Sequence, residues 1–95
     1  MQSEAIKLVE ERLKIVDEYA KCGEKLNELN KLKALWWEGF RNDYKSDASA
    51  DRAWDLTSEG QLMYELRLKM RIKQMKMSAL KSKIEVMRDE ARNYY

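Results

Sequence analysis

The apolar positions of this chain recur every third and fourth residue, the spacing that lines up side chains on one face of an α-helix. Ile6, Val9, Leu13, Val16 and Ala20 form one row. A neighbouring row reads Ile15, Tyr19, Cys22, Leu26, Leu29, Lys33, Trp36 and Phe40. Together they predict a helix over about 4–44 whose apolar seam drifts from the first row to the second near Gly23. Glycine costs a helix about 1 kcal/mol relative to alanine, so Gly23 is the expected weak point or bend. Ser3 is the expected N-cap, because its hydroxyl can accept an unpaired backbone N–H of the first turn.

The periodicity stops in KSDASADRAWDLTSEG, residues 45–60. Ser46, Asp47 and Ser49 are each able to cap a short helix carrying Ala50, Ala53 and Trp54, so a turn with a short helix is predicted over about 45–57. Ser58 followed by Gln61 fits a capping box, with Thr57 as the rival cap. The last helix is predicted over about 58–93. Its main row is Leu62, Leu66, Met70, Lys73, Met77, Leu80, Ile84, Met87, Ala91 and Tyr94, in which only Lys73 breaks the apolar run. The final Tyr94 and Tyr95 are expected to fray.

A second row on this helix, Leu68, Ile72, Met75, Ala79 and Val86, lies roughly 150° from the main row at about 100° per residue. A helix packed on one neighbour needs one apolar stripe, and two separated stripes imply two neighbours. The first helix can supply one. The other must come from outside, most simply from a second copy, which makes Leu68, Ile72, Met75, Ala79 and Val86 the self-association candidates. The expected architecture is all-α, a single domain over 1–95. It is a long antiparallel helical hairpin with a short helix at the turn, self-associating into a coiled-coil-like bundle as a homodimer or higher homo-oligomer. No proline, three glycines and 38% charged residues beside 44% hydrophobic ones agree with long amphipathic helices. A mean hydropathy of -0.79 leaves little apolar surface to spare for a core of its own.

Chemistry is excluded more firmly than it is suggested. There is no histidine; that removes the commonest general base and the commonest transition-metal ligand. Cys22 is alone, so no disulfide forms within the chain and no Cys–His nucleophile exists. No glycine-rich phosphate loop is present. Asp43, Asp47, Asp51, Asp55 and Glu59 recur every fourth residue, but across a broken helix they read as caps and solvated charges. The methionines, Met63, Met70, Met75, Met77 and Met87, read mainly as core residues at helical spacing. No catalytic, cofactor-binding or metal site is expected, and no small-molecule substrate. The start, MQSEAIKLVEER, lacks the apolar run of a signal peptide, and the longest apolar run, Ala34–Trp37, is far too short to span a bilayer. A cytoplasmic protein that does not enter membranes is expected.

Two features point to partners. Trp36, Phe40 and Tyr44 share a helical face, Trp37 lies about 100° around from Trp36, and Trp54 follows across the turn. The rings read as the plug of the turn. Two adjacent tryptophans cannot both enter one core, so Trp36, Trp37 and Trp54 are the partner-contact candidates. The net charge of +2 is mild, but its distribution is uneven. Residues 1–30 are slightly acidic, whereas residues 65–83 carry seven basic side chains against Glu65 alone. Lys69, Lys73, Lys76 and Lys83 lie between the two stripes on one side, and Arg67, Arg71 and Lys81 on the other. Arg67, Lys69, Arg71, Lys73, Lys76 and Lys83 are therefore candidates for phosphate or an acidic partner, against the plainer reading of solvated flanks.

At MSALKSKIEVMRDEARN, residues 77–93, the chain resembles a loose class of small helical proteins encoded by bacteriophages, a likeness that extends from about Leu32 to Asn93. These combine a long first helix, a Ser/Ala/Asp-rich turn and a basic second helix ending in a Glu-Ala-Arg-Asn-like stretch. The resemblance implies an accessory protein that binds a host or phage protein in the host cytoplasm. Such proteins are similar to accessories of replication and recombination, and to inhibitors of host defence such as anti-CRISPR proteins. It carries no binding residues across. The expected function is a non-enzymatic, self-associating protein–protein interaction module. The alternative is a nucleic-acid-binding accessory protein using the basic last helix and an exposed tryptophan.

Overall fold

The computed structural model describes residues 3–93, with the side chain of Asn93 excepted; Tyr94 and Tyr95, and with them the end of the main row, lie outside the described residues. Those residues are all-α. Helix α1 spans Glu4–Phe40, a 3-10 turn spans Arg41–Asp43, α2 spans Asp47–Asp55 and α3 spans Ser58–Asn93. Ser3 caps α1 in extended backbone, its Oγ accepting the Ile6 N–H at 3.2 Å. The helix runs through Gly23 without interruption. It ends at Phe40 rather than at Tyr44, because Arg41 gathers the chain into a turn. The Arg41 Nη1 donates to the Tyr44 carbonyl at 2.9 Å, and its Nε binds the Asp47 carboxylate.

Among the three candidate caps of α2, Ser46 takes the role, with its Oγ accepting the Ser49 N–H at 3.1 Å. At the start of α3 the capping box between Ser58 and Gln61 does not form. Thr57 is the cap instead. Its Oγ1 accepts the Gly60 N–H at 3.0 Å and donates to the Trp54 carbonyl at 2.6 Å. One hydroxyl thus serves the end of α2 and the beginning of α3. Gln61 turns back to donate to the Asp55 carbonyl at 2.8 Å, which satisfies another open carbonyl of α2. The corner is tight enough that Gly60 is buried, with the backbone of Trp54 and Asp55 where a Cβ would stand.

α3 lies along α1. Glu18 meets Lys73, Gly23 lies beside Met70, and Leu29 packs with Met63 and Leu66 near the turn. The molecule measures 68 × 22 × 16 Å with a radius of gyration of 20.3 Å. A compact chain of this length would have a radius near ~12 Å. A thickness of 16 Å has no room for a second layer of helices. Among the described residues the buried cluster, Leu29, Trp54, Met63 and Leu66, sits at the turn end where α2 folds onto the two long helices. The Trp54 indole N–H donates to the Met63 sulfur at 3.3 Å inside it. No described helix is long and apolar enough to cross a membrane.

The expected drift of the α1 seam does not occur. The inward face of α1, toward α3 and, at its end, toward α2, carries Leu8, Arg12, Ile15, Tyr19, Cys22, Leu26, Leu29, Lys33 and Trp36, all buried or half-buried. The row Ile6, Val9, Leu13, Val16 lies outside, with Leu13 61% exposed. The reason is that a 37-residue helix holds one straight face toward its neighbour, and Leu8 with the stem of Arg12 continues that face to the N-terminus.

Candidate interaction surface

Two stripes compete for the α3 face that meets α1, and the main row wins. Leu62, Met70, Met77, Leu80, Ile84 and Met87 are half-buried and Leu66 is buried. The second row is left uncovered by α1, with Ala79 at the edge of a groove shared with α1. Leu68, Ile72, Met75, Ala79 and Val86 are all exposed, with Met75 at 68%. This is the geometry two separated stripes require of a helix with one neighbour in the chain. Shallow grooves run beside the row, one lined by Tyr64, Arg67, Leu68 and Arg71, the next by Arg71, Gln74, Met75 and Ser78.

The charges around the row are not uniform in role. Lys69, Lys76 and Lys83 flank it on one side and Arg67 and Arg71 on the other, all exposed. Lys73 does not belong with them. It stands in the seam, 21% exposed, with its Nζ 2.7 Å from Glu18 Oε2. It is therefore withdrawn from the set of candidate phosphate ligands. The Glu18 carboxyl is held below the usual carboxylate range by the Lys73 hydrogen bond first and the Lys73 charge second. Partial desolvation opposes this, and Lys14 and Lys76 add to the lowering.

The aromatic residues gather around Trp36. Its ring lies 5.6 Å from Trp54, 5.8 Å from Phe40, 6.0 Å from Tyr44 and 6.4 Å from Trp37, all tilted. These are the spacings at which aromatic quadrupoles attract. Trp54, 4% exposed, is the floor of the cluster and offers no ring to a partner. The candidate role for Trp54 is therefore corrected. It sits on the inward face of α2 and is covered by Leu29, Met63 and Leu66. Trp36 and Trp37 are both half-buried. Trp37 leaves the cluster side and stands between two cations, Lys33 Nζ and the Arg41 guanidinium, each 5.9 Å from its centroid. With Asn30, Ala34 and Asp51 it lines an open hollow, where Lys33 also pairs with Asp51 at 3.1 Å. Phe40, read as part of the plug, is half exposed at the rim.

Sequence reasoning missed the outer α1 row as surface, because its regular spacing reads as core. The signal that could have found it was Leu8, four residues before Arg12 in line with Ile15. A charged residue within an apolar row hid the continuation, as Lys73 and Lys33 do elsewhere. Among the described residues, no three or more His, Cys, Asp and Glu side chains group to hold a metal ion. What the surface can do is bury apolar rows beneath a frame of charge. Comparison with protein families, with curated proteins and with solved structures finds no match for this chain.

Proposed function

We propose that the chain is a helical hairpin that associates with itself and works, without catalysis, as a protein–protein interaction module. The observation that carries this reading is the uncovered row on α3, whose central Met75 is 68% exposed while the opposite row is packed on α1. The exposed side chains Leu68, Ile72, Met75 and Ala79, with Val86 beyond Ser82, form an apolar line, the kind of surface that marks an interaction site rather than ordinary scattered exposure. Self-association covers that line at little cost in new chemistry. The indole of Trp37, held between Lys33 and Arg41, supplies a second contact of the type that anchors partner proteins. The phage resemblance gives the context: an accessory that binds and modulates a host or phage protein, as a counter-defence inhibitor or a replication accessory.

Sedimentation velocity over a range of concentrations tests the reading. Wild-type protein sediments above the 11.4 kDa protomer, and Met75→Glu, which alters an outward side chain only, returns to protomer mass. A wild type that stays a protomer throughout refutes it.

A second reading follows from the exposed Arg67, Lys69, Arg71, Lys76 and Lys83: a nucleic-acid accessory that neutralises phosphates along α3. Oligonucleotide binding that falls steeply with salt and is lost in Lys76→Glu/Lys83→Glu supports it. Absence of binding at low salt removes it.

A further inference from the structure

The uncovered α3 row has a counterpart. Ile6, Val9, Leu13 and Val16 on α1 are exposed as well, followed in the same line by Ala20. The α1 row steps by three and four residues, and so does the α3 row from Leu68 to Ala79, with Ser82 at the position between Ala79 and Val86; both follow the heptad spacing of coiled coils. With Val9, Val16 and Gly23 at position d of the heptad, position e of α1 holds Glu10, Asp17 and Glu24. On α3, with Leu68, Met75 and Ser82 at position d, position e holds Lys69, Lys76 and Lys83. The acids are seven residues apart, and so are the lysines.

We infer that the outer row of α1 in one molecule docks antiparallel on the outer row of α3 in a second copy. The inference rests on the self-association proposed above and specifies its faces. Antiparallel seams set position e against position e, and flanking charges choose partner and direction. In that arrangement Glu10 meets Lys83, Asp17 meets Lys76 and Glu24 meets Lys69. The same register sets Val9 against Val86, Val16 against Ala79 and Ala20 against Met75, so large side chains oppose small ones along the middle of the contact. Like-with-like pairing is disfavoured on both sides. Two α3 rows would oppose lysine to lysine, and two α1 rows acid to acid, and such juxtapositions suppress wrong partners.

The rows also point in different directions. Val9 and Leu13 share one side of the molecule with Lys81, Glu85 and Arg88. Ala79 and Lys76 share the other with Glu11 and Lys14. One partner cannot cover both rows, so the contact is head-to-tail. It closes only as a ring, or else continues as an open ribbon of alternating α1 and α3 helices.

Complementation between two blocked variants tests this by sedimentation velocity. Leu13→Glu blocks the α1 row and Met75→Glu blocks the α3 row; both side chains are more than half exposed, and circular dichroism verifies that helix is kept. Each variant alone is expected at protomer mass. An equimolar mixture is expected to give a dimer with one chain of each kind, because one intact row of each type remains and the blocked rows stop growth. Lys69→Glu is expected to weaken wild-type assembly roughly three- to tenfold, and Glu24→Lys in the same chain to restore it. Leu13→Glu that still assembles alone overturns the docking inference while leaving self-association through α3 standing. A mixture that stays at protomer mass while wild type assembles also overturns it. A wild type that never assembles removes the proposed function together with it.

Discussion

Lys73 Nζ lies 2.7 Å from Glu18 Oε2, joining α3 to α1 within the seam between the two long helices. The pair explains why a lysine interrupts the row from Leu62 to Met87. Lys73 is satisfied only where Glu18 meets it, so the pair specifies the register of the two helices, a role attested for polar residues in coiled-coil seams.

The same pair makes stability depend on acid. Lys73 holds the Glu18 carboxyl below its ordinary value of 4.5. A carboxyl whose folded pKa is lowered binds its proton less readily in the folded state. Its contribution is fully present above the ordinary value and is lost as the pH falls through the folded value. Chemical unfolding followed from neutral pH into the acid range is therefore expected to show a decline below about pH 4.5. Glu18→Gln is expected to flatten that decline, and so is Lys73→Met. Identical acid profiles for wild type and Glu18→Gln count against the pair having this role.

Gly60 and Gly23 make opposite demands. At Gly60 a Cβ would stand on the Trp54 carbonyl and 2.9 Å from Asp55 Cα. Both are backbone at the end of α2 and cannot turn aside, so Gly60→Ala is expected to cost about 1–3 kcal/mol as overpacking. At Gly23 the nearest atom would be the terminal methyl of Met70 at 3.6 Å, an ordinary contact. Gly23→Ala is therefore expected to stabilise by about 1 kcal/mol through helix propensity. Thermal unfolding of the two variants gives shifts of opposite sign if the corner is packed as described.

Thr57 is expected to matter where Ser58 does not. The Thr57 hydroxyl caps α3 and donates to the last turn of α2. Thr57→Ala is expected to lose about 1–2 kcal/mol in chemical unfolding, the range of a helix cap. Ser58→Ala leaves both bonds in place and is expected to stay within about 0.5 kcal/mol of wild type. A larger loss at Ser58 would return the cap to the box with Gln61.

The all-α class, the three helices and the exposed second row on α3 were legible because each follows from local spacing, which a single chain carries in full. The α1 seam was not. Two rows run along the first half of α1, the outer one wholly apolar and the buried one broken by Arg12, and which one is buried depends on how α3 approaches, a fact stored in the tight corner from Trp54 to Gly60 rather than in α1. Trp54 was misread for a related reason. A tryptophan in a polar segment looks available, and only the fold of α2 onto Leu29, Met63 and Leu66 shows it covered. Lys73 sat visibly out of place in its row, but the partner that justifies it is far away in the sequence.

The tryptophans divide by what surrounds them, and substitution separates the roles. Trp54 is enclosed and donates its N–H to Met63, so Trp54→Ala leaves a cavity at the centre of the buried cluster and is expected to cost about 3–5 kcal/mol. Trp54→Phe keeps most of the ring contact and loses the N–H donor, so its cost is expected to be about 1–2 kcal/mol. Trp37 borders an open hollow and has two cations near its ring, Lys33 and Arg41. Cation–π contacts at exposed sites contribute about 0.5–1 kcal/mol, so Trp37→Ala is expected to cost about that much and to leave the unfolding transition cooperative. Urea unfolding followed by circular dichroism measures all three without relying on tryptophan emission. If Trp37→Ala proved as costly as Trp54→Ala, the indole would be part of the plug and the case for it as a partner contact would be lost.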